Sequence, residues 1–195
     1  MFYFGVAVFI LLSIITLLRI RSEYQSLQKL SMPTVVIVWG LYFLHAGLTV
    51  FAAWRAIGPL PLSKWLAILA GGILILFGAG FFTAGILEFR SFQRMSGQRT
   101  DQLVTSGVYR WSRNPQNVGW MITLTGVALI GKSGSALVLV ALFALFLHIY
   151  IVYVEEGFLE KIYRESYRLY RTSTARYIGI PGDYEHASQV IQNNS

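Results

Sequence analysis

Five long apolar runs constrain this chain more than any other feature of its sequence. They lie at about 2–18, 35–56, 65–87, 118–130 and 136–154. A helix of about 17–25 apolar residues crosses a bilayer, so we interpret the runs as spans, the short fourth one tilted or paired tightly with the fifth. None of the runs alternates as a barrel strand would, and backbone groups in hydrocarbon need internal hydrogen bonds. The sequence predicts an all-α integral membrane protein with about five transmembrane helices.

The composition agrees with a membrane location and excludes several kinds of site. The chain is 55% hydrophobic and 13% charged, whereas soluble domains are about 45–50% apolar and about 25% charged. It has no cysteine, which excludes disulfides, thiolate catalysis and cysteine metal sites. The formal net charge of +7 is spread between the apolar runs. This spread favours membrane lipids over nucleic acid as a partner.

The basic residues predict the orientation of the chain. All of its 16 lysines and arginines except Arg55, Lys64 and Lys132 follow the first, third or fifth run. Because positive charge is enriched in cytoplasmic loops, we expect the N-terminus outside and the C-terminus in the cytosol. The first run lacks a basic n-region and is expected to be a retained anchor.

The pattern of runs and polar segments divides the chain into three regions. Residues 1–89 form a three-span region. Residues 90–180 contain a cytosolic loop, two spans and a C-terminal interfacial helix. Residues 181–195 are expected to be a tail, whose last part looks disordered.

A short polar segment between the third and fourth runs is the first candidate site. Residues 103–120 read LVTSGVYRWSRNPQNVGW. Pro115 suits the first turn of a helix and Asn114 its N-cap. The free N–H groups of that helix end, beside Arg113, would favour a carboxylate or phosphate. A capped helix with an interfacial arginine is the alternative interpretation.

A second polar segment ends the fifth run on the same predicted side. Two adjacent carboxylates, Glu155 and Glu156, are costly at the hydrocarbon edge unless paired or hydrated. They would either terminate the span by pairing with arginines or bind a cationic cofactor or polar substrate. Tyrosines and arginines then recur at helical spacing, which is typical of an interfacial helix. Arg176 could hold a carboxylate in a bidentate pair or bind a lipid headgroup.

The histidines and glycines favour structural roles. His45, His148 and His186 do not cluster and no carboxylates accompany them, so we predict no metal site. We expect His45 and His148 to form interhelical hydrogen bonds. Five glycines of the third run are expected at close helix contacts. These are Gly71, Gly72, Gly78, Gly80 and Gly85.

Together these two segments resemble the signature of isoprenylcysteine carboxyl methyltransferases and, more loosely, of phospholipid N-methyltransferases. The resemblance rests on residues 103–120 and on the Glu-Glu-x-x-Leu and Tyr-x-x-Tyr…Arg elements between residues 155 and 176. It implies an S-adenosylmethionine-dependent membrane methyltransferase with a cytosol-facing pocket. The acceptor would be lipid-like or prenylated, its tail entering from the bilayer between helices.

The resemblance also implies roles for individual residues. Glu156 and Arg176 would be catalytic, Glu156 as the base for an amine acceptor and Arg176 at the polar head of the substrate. The implied cofactor-binding residues are Leu103, Val104, Gly107, Tyr109, Arg113, Asn114, Pro115, Asn117, Glu155 and Glu156.

Two positions depart from the family pattern, which usually reads Arg-His-Pro-x-Tyr. Asn114 and Asn117 stand in place of the histidine and the tyrosine. Asn114 cannot titrate, so general-base chemistry at that position is excluded. Methyl transfer needs mainly proximity and alignment, and a carboxylate acceptor needs no base. Three alternatives stay open: a phospholipid N-methyltransferase, a sterol-reductase-like NADPH enzyme, and a scaffold without activity.

Overall fold

The computed structural model describes residues 2–182. Its helices are joined by short connections, apart from the longer loop between residues 89 and 114. The elements in chain order are α1 (Phe2–Ser26), α2 (Met32–Trp54), α3 (Lys64–Glu88), the short α4 (Phe92–Met95), a 3₁₀ turn (Gly107–Arg110), α5 (Pro115–Ile130), α6 (Gly134–Tyr150), a π-helical turn (Ile151–Glu155) and α7 (Glu156–Ser173). The architecture is all-α, as predicted, and most of the 181–195 tail lies outside the described residues.

Four helices in residues 2–182 are long and apolar enough to cross a membrane. They are α1, α2, α3 and the continuous stretch Gly134–Ser173 that begins with α6. The predicted fourth span is α5, which has 16 residues and is about 24 Å long at 1.5 Å per residue. A hydrocarbon core is about 30 Å thick, so α5 alone is shorter than a bilayer.

Helix α5 compensates for its length by packing very closely against α3. A Cβ atom on Gly78 would lie 2.6 Å from the backbone nitrogen of Thr123, and one on Gly126 would lie 2.5 Å from the carbonyl oxygen of Gly71. Such contacts allow only hydrogen at these positions. The sequence analysis offered α6 as the tight partner of α5. The tight partner is instead α3.

Two of the five glycines on α3 do not have the predicted role. Gly71, Gly78 and Gly85 face α5 at every second turn, but a Cβ on Gly72 or Gly80 would meet nothing within 4 Å. The prediction of close packing was wrong for these two, because they lie on the other side of the helix.

The interhelical connections meet at two opposite ends of the bundle. At one end the Leu30 N–H donates to the carbonyl of Gly97 (2.9 Å), which joins the α1–α2 connection to the loop after α4. At the other end the Gly134 N–H donates to the carbonyl of Gly58 (2.7 Å). The loop of residues 89–114 and the chain after α6 share the first end with the α1–α2 connection. We call it the polar end.

Candidate functional site

Three hydrogen bonds join the predicted loop to the C-terminal segment. The Arg113 N–H donates to the carbonyl of Ala175 (2.9 Å), and the Gly179 N–H donates to the carbonyl of Trp111 (3.0 Å). The Asn114 Nδ2 donates to the carbonyl of Arg176 (3.2 Å). The two polar segments therefore meet, as their placement on one side of the spans predicts.

Glu156 is the charged centre of this contact. Its carboxylate accepts two hydrogen bonds from Arg176, 2.7 Å from Nε and 3.0 Å from Nη2. Arg113 Nη1 lies 3.1 Å from the same carboxylate, and the Glu156 and Arg113 side chains are only 9% and 7% exposed. Hydrogen bonding to Glu156 raises the pKa of Arg176. Arg176 forms a bidentate pair, one of the two roles considered for it, but its carboxylate partner is Glu156 of the protein itself.

A group of buried tyrosines packs α7 against the loop. Tyr167 and Tyr170 are each 2% exposed and cluster with Tyr109. The Tyr170 hydroxyl donates to the carbonyl of Tyr109 (2.8 Å), and Arg113 donates to the Tyr167 hydroxyl (3.1 Å). Burial raises the pKa of Tyr109. Helix α7 is thus more than an interfacial helix, since its tyrosines build the wall of the site.

The backbone of Arg164 breaks α7 just before these tyrosines. Its φ angle is +49°, in the left-handed region that non-glycine residues rarely adopt. Only after this kink do the buried tyrosines of α7 follow, and Tyr163, just before it, donates to the carbonyl of Gln102 (3.1 Å). The kink lies between the contact of α7 with the middle of the loop and its contacts with the end of the loop.

The other carboxylate of the pair, Glu155, has a different environment. It closes the π-helical turn Ile151–Glu155, and such turns are frequent at functional sites. It is half-buried beside Tyr150 and forms no ion pair within 4.0 Å with any residue in the described range 2–182. The Tyr150 hydroxyl lies 3.3 Å from that of Tyr24. Glu155 is therefore a carboxylate near tyrosine hydroxyl groups, and the charge of Arg113 acts on it only from beyond 4.0 Å.

A cavity of about 220 Å³ lies between the loop, α7 and the interior of the bundle. Arginines, asparagines and the two glutamates line its part at the polar end. Apolar side chains of α1, α2, α3 and α6 line the deeper part. Such a cavity combines a polar head compartment with an apolar interior, which suits an amphiphilic ligand.

Most of the predicted site residues line this cavity. Those that do are Leu103, Val104, Tyr109, Arg113, Asn114, Asn117, Glu155 and Glu156. Three others lie outside the lining. Arg176 contacts the site through Glu156, and Pro115 packs on Gly85 of α3, where a Cβ would lie 3.1 Å from the proline ring. Gly107 has φ +56° and is pressed against Glu88, where a side chain would overlap the carboxylate.

The two asparagines that depart from the family pattern both have defined partners. Asn114 occupies the N-cap position of α5, but its side chain makes no capping hydrogen bond. Its own N–H donates to the Ser112 hydroxyl (3.0 Å). Asn117 accepts a hydrogen bond from the Tyr42 hydroxyl (2.6 Å) through Oδ1. Asn114 therefore ties the loop to the Arg176 backbone, and Asn117 ties α5 to α2.

Sequence reasoning missed three residues of the cavity wall. Tyr24 and Tyr42 line the cavity from α1 and α2, and Gln116 of α5 lines it too and accepts a hydrogen bond from the Tyr109 hydroxyl. For Tyr42 a tyrosine inside an apolar run was the available signal, because a hydroxyl in a spanning helix needs a partner.

His45 forms the interhelical hydrogen bond that was predicted, whereas His148 bonds to the segment after the last helix. His45 is fully buried and its Nδ1 accepts from the Trp120 indole N–H (3.3 Å), which joins α2 to α5. His148 is hydrogen-bonded to the Tyr177 hydroxyl (2.6 Å), which holds the C-terminal segment on α6. His186 lies outside the described residues.

Comparison with known proteins agrees with the resemblance that the loop carries. The human protein-S-isoprenylcysteine O-methyltransferase is 41% identical over 61 residues, which are 29% of this chain and 21% of the human protein. The match thus spans about a fifth of that relative's length. No solved structure matches the chain. A model of the phospholipid methyltransferase family matches residues 66–166, just over half of the chain. The chain belongs to the phospholipid methyltransferase family.

Proposed function

We propose that this protein is an integral membrane methyltransferase that uses S-adenosylmethionine and methylates a lipid-like or prenylated acceptor. The observation that carries the proposal is the joining of loop and C-terminal segment around Glu156, at the polar end of a cavity that continues into the bundle. Membership of the family and the name of the human relative support the reaction type. We place this end in the cytosol because nearly all basic residues flank it.

The charges around the cavity suit the methyl donor, which carries a sulfonium, an ammonium and a carboxylate. The Glu155 carboxylate has no cation within 4.0 Å among residues 2–182. It is therefore available to pair with a cationic group of the ligand. The Nε of Arg113 is buried and has no hydrogen-bond acceptor among the same residues, so it can donate to a carboxylate. When bound, the donor would supply the electrophilic methyl group. Residues Leu103, Val104 and Tyr109 would form the surrounding wall.

Glu156 is proposed to hold the site together. Both of its oxygens accept hydrogen bonds from Arg176, and one lies near Arg113 as well. Both carboxylate oxygens of Glu156 are already occupied by guanidinium groups, so this arrangement favours a positioning role over the proton transfer that the resemblance implies. Closing the C-terminal segment over the loop excludes water from the reacting groups. Tyr167 and Arg176 are thereby fixed at the edge of the cavity.

A methyl-transfer assay tests the proposal. Protein in lipid nanodiscs is incubated with radiolabelled S-adenosylmethionine and, separately, with prenylated N-acetylcysteines and with phosphatidylethanolamine. We expect transfer to at least one acceptor, and a drop of at least about 100-fold in Glu156→Gln, because the buried Arg113 and the partly exposed Arg176 lose their counter-ion. The matched control is Glu160→Gln, one turn further along α7, whose ion pairs with Arg168 and Arg171 are on the surface.

The same preparation separates the competing functions. Transfer that survives Glu156→Gln as well as Glu160→Gln would contradict the role given to Glu156. Binding of NADPH without binding of S-adenosylhomocysteine would favour the reductase alternative. A folded protein that binds neither cofactor and methylates no acceptor would favour the scaffold.

A further inference from the structure

We propose that Phe143 forms the floor of the cavity and limits the length of the acceptor's apolar tail. The inference rests on the proposed function, since it assigns the deep part of the cavity to the tail of the methyl acceptor. It concerns a residue of α6 far from the polar end, to which neither the sequence nor the family resemblance gives a role.

The cavity ends at one level on α2 and α6, and about one turn earlier on α1. The deepest lining residues are Leu41 and Tyr42 on α2 and Phe143 on α6, with Thr16 on α1. Phe143 lies eleven residues before the end of the fifth apolar run at residue 154, which is about 16 Å at 1.5 Å per residue. That depth is about half of a 30 Å hydrocarbon core. On α6 the cavity therefore reaches roughly the middle of the membrane.

Buried residues pack beyond the cavity, one turn past its lining on α2 and α6 and two turns past it on α1. Phe9, His45 and Leu139 are 2%, 0% and 1% exposed, and none of them lines the cavity. The Phe143 ring lies between this layer and the cavity, with ring centroids 4.3 Å from His45 and 5.6 Å from Phe9. A tail that extends past this level would have to displace a packed aromatic layer, which a dense interior resists.

The walls above the floor explain why a hydrocarbon chain belongs there. Apolar side chains make up most of them, with Ile20, Val38, Leu147 and Ile151 among them, and the Asn117 amide in the wall is already hydrogen-bonded to Tyr42. A polar group in such surroundings would lose its hydrogen bonds to water without replacement. The carboxylates and arginines are confined to the polar end, so the head group of an amphiphile is held there and its tail points toward Phe143.

The contacts of Phe143 make its size decisive. It meets Tyr42 edge-on at 5.1 Å and stacks on Phe146 at 5.8 Å. A smaller side chain would extend the cavity toward His45, whereas tryptophan would shorten it. The expected consequence is a change in the longest tail that binds, with no change at the polar end.

The test measures binding of tail-length series, without any methyl donor. S-alkyl-N-acetylcysteines and lysophosphatidylethanolamines of increasing chain length compete with a photoreactive alkyl probe in nanodiscs. For at least one head group, affinity should rise with length and then fall by about tenfold, or about 1.4 kcal/mol. The drop should move to longer chains in Phe143→Leu and to shorter chains in Phe143→Trp. It should stay in place in Phe77→Leu, a control at an exposed ring on α3.

Each outcome decides the inference independently of catalysis. A length limit that moves in opposite directions in the two variants supports it, even if the preparation transfers no methyl group and the proposed function fails. No limit, no binding in either series, or a limit that neither Phe143 variant moves would overturn it, even if methyl transfer is observed. Thermal unfolding is measured for both variants. Only a variant that unfolds cooperatively, like the wild type, is included in the comparison.

Discussion

Replacement of Gly119 by alanine is expected to destabilise the protein through the α3–α5 contact. The added Cβ would lie 2.6 Å from the carbonyl oxygen of Gly78 and 2.7 Å from the Cα of Phe82. Both atoms belong to the backbone of α3, so no side chain can rotate away. The two helices must separate locally, and α5 is the helix that depends most on this pairing.

The contacts and helix propensity together give the size of the effect. Overpacking a dense interface destabilises by about 3 kcal/mol at the upper end of the usual range. Alanine gains back about 1 kcal/mol relative to glycine inside a helix. The net loss in the free energy of unfolding for Gly119→Ala is therefore about 2 kcal/mol. Gly72→Ala is the control, because its Cβ meets nothing within 4 Å, and it should stabilise by up to about 1 kcal/mol.

Equilibrium unfolding in mixed detergent micelles, followed by circular dichroism, measures both variants against the wild type. The opposite signs of the two changes are the critical result. If Gly119→Ala were as stable as the wild type, or if both variants shifted in the same direction, the close α3–α5 packing would be refuted.

Two further predictions concern the polar end. Hydrogen bonds from Arg94 lower the pKa of Asp101 to about 2, below the unfolded value of about 3.9. The stabilisation that the ionised Asp101 provides is therefore complete above pH 4 and is lost as the pH falls towards 2. Hydrogen exchange of the loop should show this pH dependence in the wild type. It should be absent in Asp101→Asn. The Glu23 carboxylate accepts hydrogen bonds from the Ser31 N–H (2.8 Å) and the Thr34 hydroxyl (2.5 Å) and so connects α1 to α2. Glu23→Gln should therefore lower the free energy of unfolding by about 1.5–3 kcal/mol. An unchanged unfolding curve would contradict this connection.

The sequence predicted the elements and the meeting of the two polar segments well, because both depend on local patterns. Apolar length determines the spans, and the alternation of spans with basic residues determines which connections share an end. The match of Pro115 to the first turn of α5 is equally local, since proline lacks only an N–H that such a position does not use.

The different environments of Glu155 and Glu156, the second paired with arginines and the first not, could not be predicted in the same way. They depend on the π-helical turn that ends at Glu155, which shifts the helical register and has no clear signal in the sequence Ile151–Glu155. The participation of Tyr42 and Phe143 depends on tertiary packing of α2 against α5 and α6. Helical periodicity on one helix does not tell which neighbour a side chain meets.

Binding of S-adenosylhomocysteine tests the central claim most directly. Isothermal titration calorimetry in nanodiscs should give one saturable site of micromolar affinity in the wild type and in Glu160→Gln. Glu155→Gln should weaken binding by about tenfold or more, because the ligand's ammonium loses the carboxylate proposed to face it. Absence of saturable binding in the wild type, or equal affinity in Glu155→Gln, would contradict a methyl-donor site in this cavity.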